Sequence, residues 1–177
     1  LRKIDIQNCP ALTTPLGLKG CQNIEEIYAK GSGITSVELA DSGYLKKVQL
    51  PATIANLTLK NQLYIEQFTM EGYNALKTVH VENCPDIDTL TIIDNAPNLE
   101  RVRVTNVDWE YDDASFLLEL SDRNLAGIDE NGANTSHMWI DGKCHIKSLT
   151  GNEMARIKTL YPYLTITYDN LASYLIF

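Results

Sequence analysis

Residues 34–59 read ITSVELADSGYLKKVQLPATIANLTL, and this stretch decides the fold. Apolar side chains fall at Ile34, Val37 and Leu39, then at Leu45, Val48 and Leu50, then at Ile54, Leu57 and Leu59. Each triplet is an L-x-x-L-x-L pattern whose last two members flank one polar residue. That alternation is the signature of a short strand with one buried face. A helix would continue with apolar sites at i, i+3, i+4 and i+7, and these segments do not.

Outward from this stretch the pattern recurs. It returns as Leu1, Ile4, Ile6; Ile24, Ile27, Ala29; Ile65, Phe68, Met70; Leu76, Val79, Val81; Ile87, Leu90, Ile92; and Leu99, Val102, Val104, with a weaker copy from Thr13 through Leu16 and Leu18. About ten repeats follow one another at roughly 9 to 12 residues. A second column keeps the same register. Two residues past the third apolar site stand Asn8, Gly20, Gly31, Asp41, Asn61, Gly72, Asn83, Asp94 and Asn106, and Ala52 alone breaks the column. Asn, Asp and Gly tolerate a left-handed backbone or bond their own main chain, so a corner recurring at one point of every repeat selects them.

One such repeat cannot bury its apolar face alone, and stacked repeats bury it together. Two repeats per coil give about 22 residues and three give about 33; the shorter coil is favoured here. It stacks the strands beginning at Leu1, Ile24, Leu45, Ile65 and Ile87 on one side, and those beginning at Thr13, Ile34, Ile54, Leu76 and Leu99 on the other. The fold expected is a β-dominated α/β solenoid, a coil of short parallel strands with a helix-containing C-terminal cap.

Leu1-x-x-Ile4-x-Ile6-x-x-Cys9 and Leu76-x-x-Val79-x-Val81-x-x-Cys84 resemble the leucine-rich repeat, with Asn or Cys at its ninth position. Leu45-x-x-Val48-x-Leu50-Pro51-x-x-Ile54 resembles the Pro-bearing repeats of BspA-like bacterial surface and adhesion proteins. The likeness covers roughly residues 1–109. The ninth position departs from it at Ser32, Thr53 and Val107. More loosely, the chain is similar to repeat segments in phage structural proteins. The resemblance implies a right-handed coil, a cell-surface, extracellular or virion setting, and a binding or structural role.

After Trp109 the pattern changes, so residues 110–177 read as a capping region of the same domain. Glu110, Asp112 and Asp113 precede a helical stretch over 114–124, whose apolar face is Phe116, Leu117, Leu120 and Leu125, with Gly127 as its stop. Residues 129–136 read as a surface loop. Residues 138–146 read as extended chain, with Asp141-Gly142 either turning a hairpin or bulging one continuous strand. Thr150 with Glu153 forms a capping box for a helix to Tyr161, which Pro162 ends, and residues 164–168 alternate as a strand.

Charge and composition narrow the function. Asp and Glu number 23 against 15 Lys and Arg, a net charge of −8, which argues against nucleic acid as a partner. No apolar run approaches the roughly 18 residues of a membrane helix, so no membrane insertion is expected. The four cysteines, Cys9, Cys21, Cys84 and Cys144, are too scattered for a zinc site and read as buried free thiols, with Cys9–Cys21 a conceivable pair. The chain opens on Leu1 and closes on the apolar Tyr174, Leu175, Ile176 and Phe177, and reads as a piece of a longer protein flanked by further domains.

No nucleophile elbow, P-loop or dinucleotide fingerprint occurs, so no enzyme, cofactor or metal is expected. Asp108, Glu110, Asp112 and Asp113 form the densest acidic patch but lack the spacing of a calcium loop. His80, between Val79 and Val81, should point outward into solvent. With Lys77, Arg101 and Arg103 it would form a basic patch on neighbouring strands, suited to a carboxylate or phosphate. Tyr28 adds an outward aromatic, while Tyr44, Tyr64 and Tyr73 lie near corners, as anchors or as plugs. The function expected is a non-catalytic binding or structural repeat module of a larger bacterial surface or phage particle protein, recognising protein or glycan through its strand faces. The alternatives are a carbohydrate-active or metal-dependent site near residues 137–145, around His137, Asp141 and His145, and an architectural spacer.

Overall fold

The computed structural model describes residues 1–18 and 20–172. The apolar tetrapeptide from Tyr174 lies outside the described residues. The chain is strand-dominated, with parallel strands and few helices, and divides into two compact units, residues 1–101 and residues 102 onward.

The N-terminal unit carries eight short strands: β1 (Lys3–Asp5), β2 (Leu16–Gly17), β3 (Glu26–Tyr28), β4 (Ser36–Ala40), β5 (Lys47–Leu50), β6 (Asn56–Lys60), β7 (Gln67–Met70) and β8 (Thr78–Glu82). Odd strands pair with odd and even with even, all in parallel: β1-β3-β5-β7 in one sheet and β2-β4-β6-β8 in the other. The register places like repeat positions side by side. Ile4 pairs with Ile27, Ile27 with Val48 and Val48 with Phe68 in the odd sheet, and Val37 with Leu57 and Leu57 with Val79 in the even one. Ile27, Val48, Leu57, Leu59 and Val79 are fully buried, as a period-two strand with one apolar face requires.

The corners follow the second column of the sequence except at Gly72 and Asp94, which do not turn left-handed. Asn8, Asp41, Asn61, Asn83 and Asn106 adopt φ between 51° and 59°, and Gly20 and Gly31 lie at 82° and 70°. The left-handed conformation costs an ordinary L-residue roughly 1–2 kcal/mol. Asn and Asp recover part of that cost through local side-chain bonds. Here they also bond one another. Asn61 Nδ2 donates to Asp41 Oδ1 at 2.7 Å and Asn83 Nδ2 to Asn61 Oδ1 at 3.0 Å, a ladder along the even-sheet corner. Two of the ninth-position residues bond the main chain through their side chains. Thr53 Oγ1 donates to the Ile34 carbonyl at 2.7 Å, and Cys84 Sγ to that of Glu82 at 3.2 Å.

One repeat departs from the expected strand. The copy at Ile87, Leu90 and Ile92 is a short helix, α1 (Thr89–Asp94). Its buried residues, Thr89, Ile92 and Ile93, follow helical spacing, and two adjacent buried isoleucines cannot share one face of a strand. Asp88 caps it, accepting from Thr91 N at 3.0 Å and Thr91 Oγ1 at 2.6 Å.

Longer elements build the C-terminal unit: β9 (Arg101–Tyr111), α2 (Ser115–Asp122), β10 (Ala126–Ile128), β11 (Asn134–Thr135), β12 (Trp139–Thr150), α3 (Gly151–Leu160) and β13 (Leu164–Ala172). β12 lies between β9 and β13, parallel to both, and β10 with β11 forms a small antiparallel pair. Helix α2 ends before Gly127: Asn124, at φ 52°, makes the left-handed turn, and Gly127 sits within β10. Of the two readings of Asp141-Gly142, the bulge holds. β12 runs through it, and its register against β9 shifts between Ile140 and Gly142. Gly142 has φ 122°, and a Cβ there would lie 2.3 Å from the Val107 carbonyl oxygen, so the two strands can approach only at glycine. Helix α3 starts at the expected capping box: Thr150 Oγ1 accepts from Glu153 N, and Thr150 N donates to Glu153 Oε2 at 2.8 Å.

Candidate functional site

Lys77, His80 and Arg101 each meet a partner within the N-terminal unit. Lys77 Nζ lies 2.6 Å from Glu100 Oε1 and holds that carboxyl below its usual range. His80 is half-buried rather than solvated, because its Nε2 turns back along β8 to Glu82 Oε1 at 2.5 Å. Glu82 also receives Lys60 at 3.4 Å, and Arg101 Nη2 donates to Thr78 Oγ1 at 2.9 Å. Tyr28 stands on β3, in the other sheet from β8, with Lys3 Nζ 4.6 Å from its ring centroid.

Arg103 corrects the expectation of a surface patch. It belongs to the C-terminal unit and is only 7% exposed. Its Nη1 donates to the Ile128 carbonyl at 3.0 Å, and its guanidinium lies 4.8 Å over the Trp139 ring. Trp139 in turn stacks on Tyr163 at 3.9 Å between centroids. Arg, being weakly hydrated and planar, suits such a stacked, buried position. The outward face of β9 is therefore covered at Arg103, and the predicted cluster is not assembled as one exposed surface.

The segment near residues 137–145 does not converge either. Asp141 accepts from Asn106 N at 2.9 Å and from Trp139 Nε1 at 3.1 Å, which pins the bulge. His145 faces Thr167 Oγ1 at 2.9 Å and Asp169 Oδ1 at 3.3 Å, across β12 and β13. Among the described residues no three His, Cys, Asp or Glu side chains gather to hold a metal ion. In the acidic patch, Glu110 and Asp112 pair with Lys147 at 3.9 and 2.8 Å, and Asp113 accepts from Ser115 N at the start of α2. The cysteines are free thiols. Cys84 and Cys144 are buried, and burial pushes both up to about 11, so neither offers a thiolate near neutral pH. Cys9, expected inside, is exposed.

An open depression lies elsewhere, on the odd-strand side of the N-terminal unit. Tyr44 and Tyr64 precede the apolar starts of successive odd repeats, three residues before the paired Lys47 and Gln67. They are 61% and 58% exposed, and Leu63 beside them is 42% exposed. With Lys46, Glu66 and Asp86 they line an open depression of about 780 Å³. A second depression of about 480 Å³ shares Tyr44 and reaches Asn23 and Arg2. A third, of about 370 Å³, shares Glu66 and Asp86. The sequence places these tyrosines near corners without separating anchor from plug. Their position before Leu45 and Ile65, at matching points of two stacked repeats, is the signal that finds them.

No family model matches this chain, and no curated protein and no solved structure matches it.

Proposed function

We propose that this chain is a non-catalytic binding module, wound as a leucine-rich-repeat-like right-handed solenoid with a helix-containing C-terminal cap, within a larger bacterial surface or phage particle protein. One observation carries the reading: the depression around two exposed tyrosines at matching corners of stacked repeats, just before their registered strands β5 and β7. Large aromatics with half or more of their surface in water are the usual anchors of recognition. Stacked repeats multiply such anchors into a broad surface, which favours recognition of an extended partner over catalysis. The odd-with-odd and even-with-even pairing supports the winding, since two strands per turn of a coil would produce that order. The cations of the expected basic patch contribute little, because each exposed ion pair is worth roughly 0–1 kcal/mol and Arg103 is inside.

The test is saturable binding of the fluorescently labelled chain to a panel of intact bacterial cells. Binding that an excess of unlabelled chain displaces supports a recognition module. A folded chain that binds none of the panel overturns it in favour of an architectural spacer.

A further inference from the structure

The three depressions on the odd-strand side form one path, since the central one shares Tyr44 with the second and Glu66 and Asp86 with the third. The path crosses the strands. Each step from repeat to repeat advances one strand spacing, about 4.8 Å. A ligand following it would be linear and would present a similar group at each step. Its charge is constrained as well. Arg2 pairs with Glu25 at 3.4 Å and Lys46 with Glu66 at 3.6 Å, so two of the path's three cations, Arg2 and Lys46 but not Lys47, already face carboxylates within it. A polyanion would have to compete with Glu25 and Glu66 and would meet Asp86. The backbone limits the ligand in another way. β5 is hydrogen-bonded to β3 on one side and β7 on the other, so the free edge on this side is that of β7, and a peptide joined to it would run along the strands and not across them as the path does. What remains open is the tyrosine rings, Leu63, and polar tips that bond hydroxyls.

Resting on the binding-module reading above, we propose that this path holds a linear, uncharged oligosaccharide. The apolar faces of its rings pack on Tyr44 and Tyr64, and its hydroxyls bond Lys46, Glu66 and Asn23. A sugar ring has a flat C–H face and a rim of hydroxyls, which matches an aromatic ledge edged by polar groups. Tyr suits it because the ring is large, stiff and polar at its tip.

The experiment is calorimetric titration of the full 177-residue chain. The probes are the β-1,4-linked hexamers of glucose and of N-acetylglucosamine, a mannose hexamer, and a polygalacturonate hexamer as the charged comparator. At least one neutral hexamer is expected to bind, and to bind better than the charged one. Tyr44→Ala and Tyr64→Ala should each weaken it about tenfold, as expected for losing one aromatic stack. Tyr163→Ala, an exposed tyrosine of the other unit, should leave it unchanged. Both groove tyrosines are exposed, so the variants should keep the wild-type circular dichroism spectrum.

Binding that survives the Tyr44→Ala/Tyr64→Ala double variant overturns the site. Tighter binding of the charged hexamer overturns the ligand class. If no hexamer binds while cells are still bound, and protease treatment of the cells abolishes that binding, the partner is a protein: the proposal falls and the binding-module reading stands. If neither cells nor hexamers bind, both fall. A dimer in sedimentation that the double variant abolishes would assign the groove to self-association and overturn the glycan.

Discussion

In the N-terminal unit, Val48 on β5 reaches its parallel neighbour Phe68 on β7 by way of another short strand, β6, in the other sheet. In the C-terminal unit, Gly142 on β12 reaches Leu164 on β13 by way of the helix α3. The two journeys have nearly the same length, roughly twenty residues. They differ in how the intervening residues are buried. Residues 54–59 bury every second side chain at Leu57 and Leu59, whereas Met154 and Ile157 are buried three apart. A parallel crossover thus accepts a strand or a helix at fixed length, and the period of its apolar residues chooses. The corners differ accordingly. The first unit turns on left-handed Asn and Asp that bond one another, and the second starts its helix with a capping box.

The hardest blow to this contrast is a cavity in one unit. Leu57 is fully buried at the centre of β6, paired with Val37 and Val79. Leu57→Ala should cost about 2–5 kcal/mol, and Ile157→Ala on α3 a comparable amount. Amide hydrogen exchange is the measurement. Leu57→Ala should speed exchange chiefly within residues 1–101, and Ile157→Ala chiefly beyond them. Equal acceleration of both units by either variant would show that the two are not separate cooperative blocks.

A corner variant is next in size. Asn61→Ala keeps the left-handed φ of 53° without the side chain that tolerates it, and removes the bonds to Asp41 and Asn83. About 2 kcal/mol should be lost in urea denaturation. Asn61→Gly restores the backbone freedom and loses only the ladder, so about 1 kcal/mol is expected. Equal losses would mean that the ladder, rather than the φ angle, selects asparagine at this corner.

Thr150→Ala addresses the other unit. It removes the hydroxyl that accepts from Glu153 N, and the loss should be about 1 kcal/mol. Thr150→Ser should recover most of it, because the oxygen is kept. An N-terminal unit whose hydrogen exchange changed with Thr150→Ala would contradict the local role of the box.

Which of these features could be read in advance follows from how local each one is. The strands, their alternation, the Asn and Gly corners and the Thr150 box are each written within a few consecutive residues. The strand expected at Ile87, Leu90 and Ile92 failed against a cue equally local: Ile92 and Ile93 are adjacent and both buried, and Asp88 stands three residues before Thr91. Arg103 is of another kind. Its burial depends on Ile128 and Trp139, which arrive 25 and 36 residues later, and no window around Arg103 contains them. The tyrosine groove falls between these cases. The repeat register puts Tyr44 and Tyr64 at like positions, but their exposure depends on what the neighbouring chain leaves uncovered.

The smallest effect concerns α1, where the first unit borrows the device of the second. Thr91's amide and hydroxyl both donate to Asp88, and they hold its carboxyl below the usual range near 3.8. A carboxylate lowered on folding stabilises the fold above its unfolded pKa, and that share is lost as pH falls through the lower folded value. Asp88→Asn keeps a capping oxygen and removes the charge, so at neutral pH it should cost only a few tenths of a kcal/mol. The difference from wild type should shrink as the pH drops below about 4 and vanish once Asp88 is protonated in both states. Denaturation at pH 7 and at a series of pH values descending from about 4 measures it. A difference that did not shrink along that series would trace the effect to the geometry of the cap instead of its charge, and α1 would then depend on Asp88 as α3 depends on Thr150, through the oxygen alone.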